Sequence, residues 1–152
     1  KGHNMFAKIV VGIDGSDTAR RALEIACDLA QKYGAELHLV HTPQPQTVAF
    51  AMGAVPGYRT VTTMPAPSEI KQAGETVLDA GRAVAQQHGQ KITQTYMDLG
   101  DPAHEIVACA EKCGADLIIT GRRGLGSLGA LVQGSTSQKI NHLAKCACMT
   151  VI

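Results

Sequence analysis

The sequence contains no tryptophan, and its aromatic residues are limited to two phenylalanines and three tyrosines among 152 residues. Its core must therefore be built from Ala, Val, Ile and Leu. The apolar runs are all shorter than the roughly 18 residues of a membrane span, and no secretory signal opens the chain. We therefore expect a cytoplasmic protein that does not bind membranes. Its length fits one domain over residues 5–152, with residues 1–4 interpreted as the remnant of an expression tag.

Five cysteines, an odd number without an export signal, indicate reduced thiols and not a disulfide framework. A metal site from Cys109, Cys113, Cys146 and Cys148 is the alternative, but their spacing matches no zinc signature. Buried thiols that pack as small apolar side chains explain these residues adequately.

Carboxylates are missing from the carboxyl-terminal part of the chain, because all 13 acidic residues lie at or before Asp116. The later residues include Arg122, Arg123, Lys139 and Lys145, which together offer a local positive field to an anion. The net charge of +1 and the few aromatic residues argue against nucleic-acid binding.

Apolar patterns of strand type and helix type alternate strictly along the chain. Strands are predicted at residues 6–14, 36–41, 91–99, 117–119 and 148–152. Helices are predicted from Ser16 or Asp17 to Gly34, from Ser68 to near Gly89, from Asp101 and Pro102 to Gly114, and from Ser135 through Leu143. This order predicts an α/β fold: a single doubly wound, Rossmann-like open sheet of five mostly parallel strands with helices on both faces.

The second helix and the connection before it are less regular. The buried line of this helix is predicted to run through Ile70, Ala73, Val77, Ala80 and Val84. The connection, residues 42–67, is long and rich in proline. Two interpretations of it stay open, a cover for a pocket or partner surface and a merely variable loop.

A glycine-rich stretch, from Gly121 to Thr136, follows the fourth strand and leads into the last helix. Its glycines are Gly121, Gly124, Gly126, Gly129 and Gly134. Glycines let a backbone approach a ligand closely, and the free N–H groups at a helix start attract phosphate. The dinucleotide pattern G-x-G-x-x-G is present, but no carboxylate follows to bind a ribose, and a Walker A loop would need a lysine where Ser135 follows Gly134.

The spacing G-x2-G-x9-G-[ST], formed by Gly121, Gly124, Gly134 and Ser135, resembles the ATP-binding pattern of the universal stress protein family. That family belongs to the adenine nucleotide alpha-hydrolase-like superfamily. The segments 9–16, 21–23, 34–41 and 114–119 also look like the family, so the resemblance covers essentially the whole chain from Met5.

The resemblance implies a bound adenine nucleotide, ATP or else AMP or ADP, with Mg²⁺ accompanying a triphosphate. It puts Gly12, Ile13 and Asp14 beside the adenosine, Thr42 near the base, Thr120 and Gly121 near the ribose, and Arg123, Gly124, Gly134, Ser135 and Thr136 at the phosphates. From the residues alone, the alternative for Asp14 is a helix-start carboxylate or cap. The resemblance also implies a homodimer through the terminal strand, Cys148 to Ile152, although the proline common in that strand is absent here.

The function predicted in this way is that of an ATP-binding regulatory protein of the stress response. No arrangement of Ser, His and Asp for catalysis is evident, and His41, His104 and His142 are interpreted as capping or surface residues. One alternative is a slow metal-dependent ATPase, in which Asp14 holds a metal and Arg123 steadies the γ-phosphate. The other is a nucleotide-free, dimeric interaction module.

Overall fold

The computed structural model describes residues 4–45, 48, 65–122 and 135–152, with Ser135 described by its backbone. Strands and helices alternate within these residues as the sequence predicts. They are β1 (Lys8–Gly12), α1 (Asp17–Tyr33), β2 (Glu36–His41), α2 (Pro67–Gln87), β3 (Ile92–Met97), α3 (Pro102–Cys113), β4 (Leu117–Gly121), α4 (Ser135–Leu143) and β5 (Ala147–Val151).

The five strands form one sheet in the order β3-β2-β1-β4-β5, and every neighbouring pair is parallel. Central strand β1 therefore pairs on both sides, with Val11 opposite Leu39 of β2 and opposite Ile119 of β4. The predicted doubly wound parallel sheet is confirmed, and β3 lies at an edge as its weak alternation indicated.

Two hydrophobic layers cover the sheet, because successive side chains of a strand point to opposite faces. Ile9 and Val11 of β1 pack with α1 and α2, whereas Val10 packs with α3 and α4. Both faces of β1 are thus buried. The core contains chiefly the aliphatic side chains that the composition required.

The ends of α1 and α3 lie at the predicted capping residues. Ser16 Oγ accepts a hydrogen bond from Ala19 N at 3.2 Å and caps α1, which ends at Gly34 with φ 67°. Asp101 caps α3 in the same way, and that helix ends at Gly114 with φ 72°. A left-handed residue at a helix end favours glycine, since it has no Cβ to clash with the backbone.

Helix α2 departs from the prediction at its start and in its buried face. It begins at Pro67, not Ser68, and Glu69 Oε1 accepts a hydrogen bond from Ala66 N at 3.4 Å. The buried residues are Ile70, Gly74, Leu78, Gly81 and Ala85, whereas Ala80 is exposed and Ala73, Val77 and Val84 are half-buried. The reason is close packing: a Cβ on Gly81 would lie 2.9 Å from both Ile13 Cδ1 and Leu39 Cδ1.

A carboxylate ties the starts of β1 and β4 together. Asp116 Oδ2 accepts hydrogen bonds from Ala7 N at 2.8 Å and from Lys8 N at 3.0 Å. Asp116 N in turn donates to the Lys8 carbonyl at 2.9 Å. These bonds align the two central strands before their ladder begins.

Candidate functional site

The candidate site lies at the carboxyl ends of β1 and β4, where the strand order of the sheet reverses. From β1 the chain continues to β2 on one side, and from β4 it continues to β5 on the other. Ligands of open α/β sheets bind beyond the carboxyl ends of the strands at such a switch point. Ile13 and Asp14 follow β1 there, Thr120 and Gly121 end β4, and Thr42 follows the neighbouring strand β2.

Asp14 forms the turn between β1 and α1. Its Oδ1 accepts hydrogen bonds from Ser16 N at 2.9 Å and from Ser16 Oγ at 2.5 Å. Gly15 between them adopts φ 86°, which a side chain would strain. These hydrogen bonds are those of a carboxylate at a helix start. The contact of Asp14 with an adenosine stays a prediction.

Gly12 and Gly121 are required by the packing of the elements around the site. A Cβ on Gly12 would lie 2.6 Å from Ile106 Cδ1 of α3 and 3.2 Å from Cγ2 of the buried Thr120. A Cβ on Gly121 would lie 2.8 Å from the carbonyl carbon of Thr18 and 2.9 Å from Ala19 N. The glycine at the end of β4 thus lets the first turn of α1 pack directly against that strand end.

His41 lies between the candidate-site residues Ile13 and Thr42, and sequence reasoning did not include it in the site. Its imidazole is buried, and its Nδ1 lies 2.8 Å from the Ile13 carbonyl oxygen. Burial lowers the pKa of His41, against smaller raising effects of the hydrogen bond to Ile13 and the charge of Asp14. A signal was present in the sequence, because His41 continues the alternation of Leu37 and Leu39 on the buried face of β2.

Thr42 is also buried, and its Oγ1 has no hydrogen-bond partner among the residues that the structure describes. Buried hydroxyls are almost always paired, and leaving one unpaired costs about 1–3 kcal/mol. An unpaired hydroxyl at the carboxyl edge of the sheet suits a ligand with a polar edge, such as a nucleobase.

The phosphate half of the predicted site falls largely outside the described residues, which exclude Arg123, Gly124 and Gly134. Ser135 begins α4, and Thr136 lies half-buried in its first turn. One turn later, Lys139 Nζ lies 3.2 Å from Asp101 Oδ1 and links α4 to the start of α3. The hydrogen bond from His104 is the main reason that the pKa of Asp101 is lowered, and Lys139 adds to it.

Metal and thiol chemistry have little support at the described positions. Across residues 4–45, 48, 65–122 and 135–152, no three His, Cys, Asp or Glu side chains are placed to hold a metal ion. The five cysteines are free thiols. Burial raises the pKa of Cys27 to about 11 and that of Cys109 to about 12, so both stay protonated at neutral pH.

A parallel, doubly wound sheet with its crevice at the β1/β4 switch point defines a Rossmann-like α/β protein. The chain belongs to the universal stress protein family, whose model matches residues 5–151. A Bacillus subtilis relative, universal stress protein YxiE, is 33% identical over 151 residues, which cover 97% of this chain and 99% of the relative. The resemblance seen in the sequence is thereby confirmed.

Solved structures agree on the fold. Universal stress protein UspA from Lactobacillus plantarum superposes with a TM-score of 0.74 at 24% identity, over 100% of both chains. The universal stress protein from Archaeoglobus fulgidus in complex with dAMP gives a TM-score of 0.67 at 21% identity, over 97% of this chain and 99% of the other. Among the described helices, none is long and apolar enough to cross a membrane.

Proposed function

We propose that this protein binds an adenine nucleotide, ATP or else AMP or ADP, and acts as a regulatory protein of the stress response in the cytoplasm. The observation that carries the proposal is the buried Thr42 Oγ1 at the carboxyl end of β2, which has no hydrogen-bond partner among the residues that the structure describes. The complex of the Archaeoglobus fulgidus protein with dAMP supports it, since that relative shares the family and the fold.

The proposed arrangement puts the adenosine beside Gly12, Ile13 and Asp14, with the base near Thr42 and the ribose near Thr120 and Gly121. Thr42 Oγ1 can donate or accept a hydrogen bond, so it suits either polar position on the edge of adenine. The phosphates would bind at Arg123, Gly124, Gly134, Ser135 and Thr136, at the start of α4. Mg²⁺ would enter with a triphosphate and balance its charge.

The proposal includes a homodimer through the terminal strand, Cys148 to Ile152. β5 is at the edge of the sheet, and Ile152 is 70% exposed. An open strand edge is a surface for pairing with a second chain. Light scattering of Thr150→Pro tests this, because proline in the strand removes a backbone donor and should give a monomer.

Binding is tested first on the purified protein. Because tryptophan is absent and only three tyrosines occur, a co-purified adenine would dominate the ultraviolet absorbance. The protein is denatured and filtered, the released base is identified, and the emptied protein is titrated with ATP by calorimetry. No nucleotide in the filtrate together with no heat of ATP binding would refute the proposal and favour a nucleotide-free module.

The role of Thr42 is tested with Thr42→Val, which keeps the shape of the side chain and removes the hydroxyl. We expect ATP affinity to fall about tenfold, the effect of one lost hydrogen bond, without loss of thermal stability. Thr93→Val is the matched control, since Thr93 is exposed on β3. Equal ATP affinity of all three proteins would remove Thr42 from the site.

Phosphate release separates a binding protein from a slow ATPase. The protein is incubated with ATP and Mg²⁺, and free phosphate is followed over hours. Release no faster than from a Gly134→Ala, Ser135→Ala variant supports a regulatory protein. Faster release that depends on Mg²⁺ and on Asp14 would favour the enzyme instead.

A further inference from the structure

The main chain of Ile13 is held by two consecutive residues of β2. Its N–H donates to the Val40 carbonyl at 2.9 Å, which continues the ladder past the end of β1. Its carbonyl oxygen then faces a side chain, the Nδ1 of His41 at 2.8 Å. Both main-chain polar groups of Ile13 are therefore engaged, one residue before Asp14.

The hydrogen bond determines which ring nitrogen of His41 carries the proton. A carbonyl oxygen only accepts, so Nδ1 must be the donor. Burial lowers the pKa of the ring, which is neutral at pH 7 with Nε2 unprotonated. Asp14 is the charged group that acts on the ring, while the neighbouring groups from α2 and β3, at Gly74 and Met97, are apolar.

We propose that His41 is a positioning residue of the nucleotide site, which holds the Ile13 carbonyl and so fixes the ends of β1 and β2 relative to each other. Asp14 directly follows Ile13, and Thr42 directly follows His41. The hydrogen bond between His41 and Ile13 thus joins the two residues that precede Thr42 and Asp14, which the proposed function puts at the adenosine. This inference rests on that function.

A consequence concerns how the base is recognised. The Ile13 N–H is occupied by Val40 and is not available to a ligand. In the proposed arrangement Asp14 and Thr42 are left on these two strand ends to bond the adenosine, and the His41 bond helps to set their spacing. Removing the bond should loosen that spacing and weaken binding, although His41 does not touch the ligand.

The test compares three substitutions of His41. The side-chain amide nitrogen of His41→Asn lies where Nδ1 lies in histidine and keeps the donor. His41→Gln moves the donor towards the place of Nε2, and His41→Leu removes it. We expect ATP affinity within about threefold of wild type for His41→Asn and a loss of about tenfold for the other two, measured by calorimetry.

Two further measurements separate positioning from a loss of stability. All three variants should melt at a lower temperature than wild type. If His41→Asn and His41→Gln melt at the same temperature but bind ATP with different affinity, the difference is due to the position of the donor and not to stability. Nitrogen-15 NMR of wild type at pH 7 should show the Nδ1–H tautomer at His41. His88→Asn, an exposed site on the far end of α2, should leave ATP affinity unchanged.

Three outcomes would overturn the inference: an Nε2–H tautomer, equal ATP affinity of wild type and His41→Leu, or equal losses in His41→Asn and His41→Gln. If wild type itself binds no adenine nucleotide, the proposed function fails and this inference fails with it. If wild type binds ATP and the variants do not differ, the inference alone fails.

Discussion

Gly12 of β1 packs so closely against Ile106 of α3 that an alanine at position 12 should destabilise the protein. In Gly12→Ala the new Cβ would lie 2.6 Å from Ile106 Cδ1, far inside van der Waals contact. Ile106 is buried, so its terminal methyl has little space into which to turn. In Gly12→Ala, Ile106→Val the offending Cδ1 is absent, and the remaining approaches, near 3.2 Å to Thr120 Cγ2, are milder.

The expected magnitudes follow from core packing. Overpacking by one methyl lowers the free energy of unfolding by about 2 kcal/mol, within the usual range of about 1–3 kcal/mol. Ile106→Val alone costs about 1 kcal/mol through its small cavity. Additive effects would sum to about 3 kcal/mol, whereas filling that cavity with the new methyl should return the double variant to about 1 kcal/mol, a coupling of about 2 kcal/mol.

Urea denaturation of the wild type, both single variants and the double variant measures this coupling. Gly12→Ala should also lower the melting temperature by roughly 4–8 °C in a domain of this size. Additivity of the two substitutions within about 0.5 kcal/mol would show that the Ile106 methyl is not what excludes a side chain at position 12. The close packing of β1 against α3 would then need another explanation.

Three further predictions concern the neighbouring elements. Gly121→Ala should destabilise the protein by about 1–3 kcal/mol in urea, and Thr18→Ala should not restore it, because the contacts include main-chain atoms of residues 18 and 19. The pKa of His41 is lowered in the folded protein, so the unfolded state takes up a proton first as pH falls. Stability should therefore decrease as pH drops below about 6.5, the ordinary pKa of histidine, and it should decrease less in His41→Asn. Melting temperatures measured against pH test this. With pKa values of about 11 and about 12, Cys27 and Cys109 should resist iodoacetamide at pH 7 in the folded protein, and mass spectrometry showing either labelled as fast as in urea would contradict this.

Most of the fold could be predicted from the sequence, because local signals and the tertiary structure agree. Ser16 and Asp101 cap their helices, and Gly34 and Gly114 end them, as the patterns indicated. Such signals act within one or two helical turns and need no knowledge of distant residues. Strict alternation of strands and helices then left one class of sheet.

The predicted buried face of α2 is confirmed at Ile70, is half-buried against the core at Val77 and Val84, and is wrong at Ala80, which is exposed. The prediction followed apolar side chains and passed over the glycines. In the structure Gly74 and Gly81 are buried instead, because the helix approaches the sheet so closely that no Cβ fits there. Hydrophobicity alone does not report how near two elements come.

The site was predicted in outline, but its polar details were not. Resemblance could place Asp14 and Thr42 at the ends of adjacent strands. The alternation along β2 places His41 on a buried face, but its bond to Ile13 depends on how β1 and β2 end relative to each other, which no spacing along the chain encodes. The interpretation of His41 as a capping or surface histidine was therefore wrong.

The bonds between Asp116 and the start of β1 bear on how the chain is assembled during synthesis. β1 leaves the ribosome before β4, and Asp116 follows Ala7 by 109 positions. At about 5–20 residues per second, roughly 5–20 s separate the two in translation. During that interval the β4-facing edge of β1 is open while β2 can already pair. A nascent chain stalled before Asp116 should therefore be a good substrate for chaperones, and release of the next strand should end that exposure.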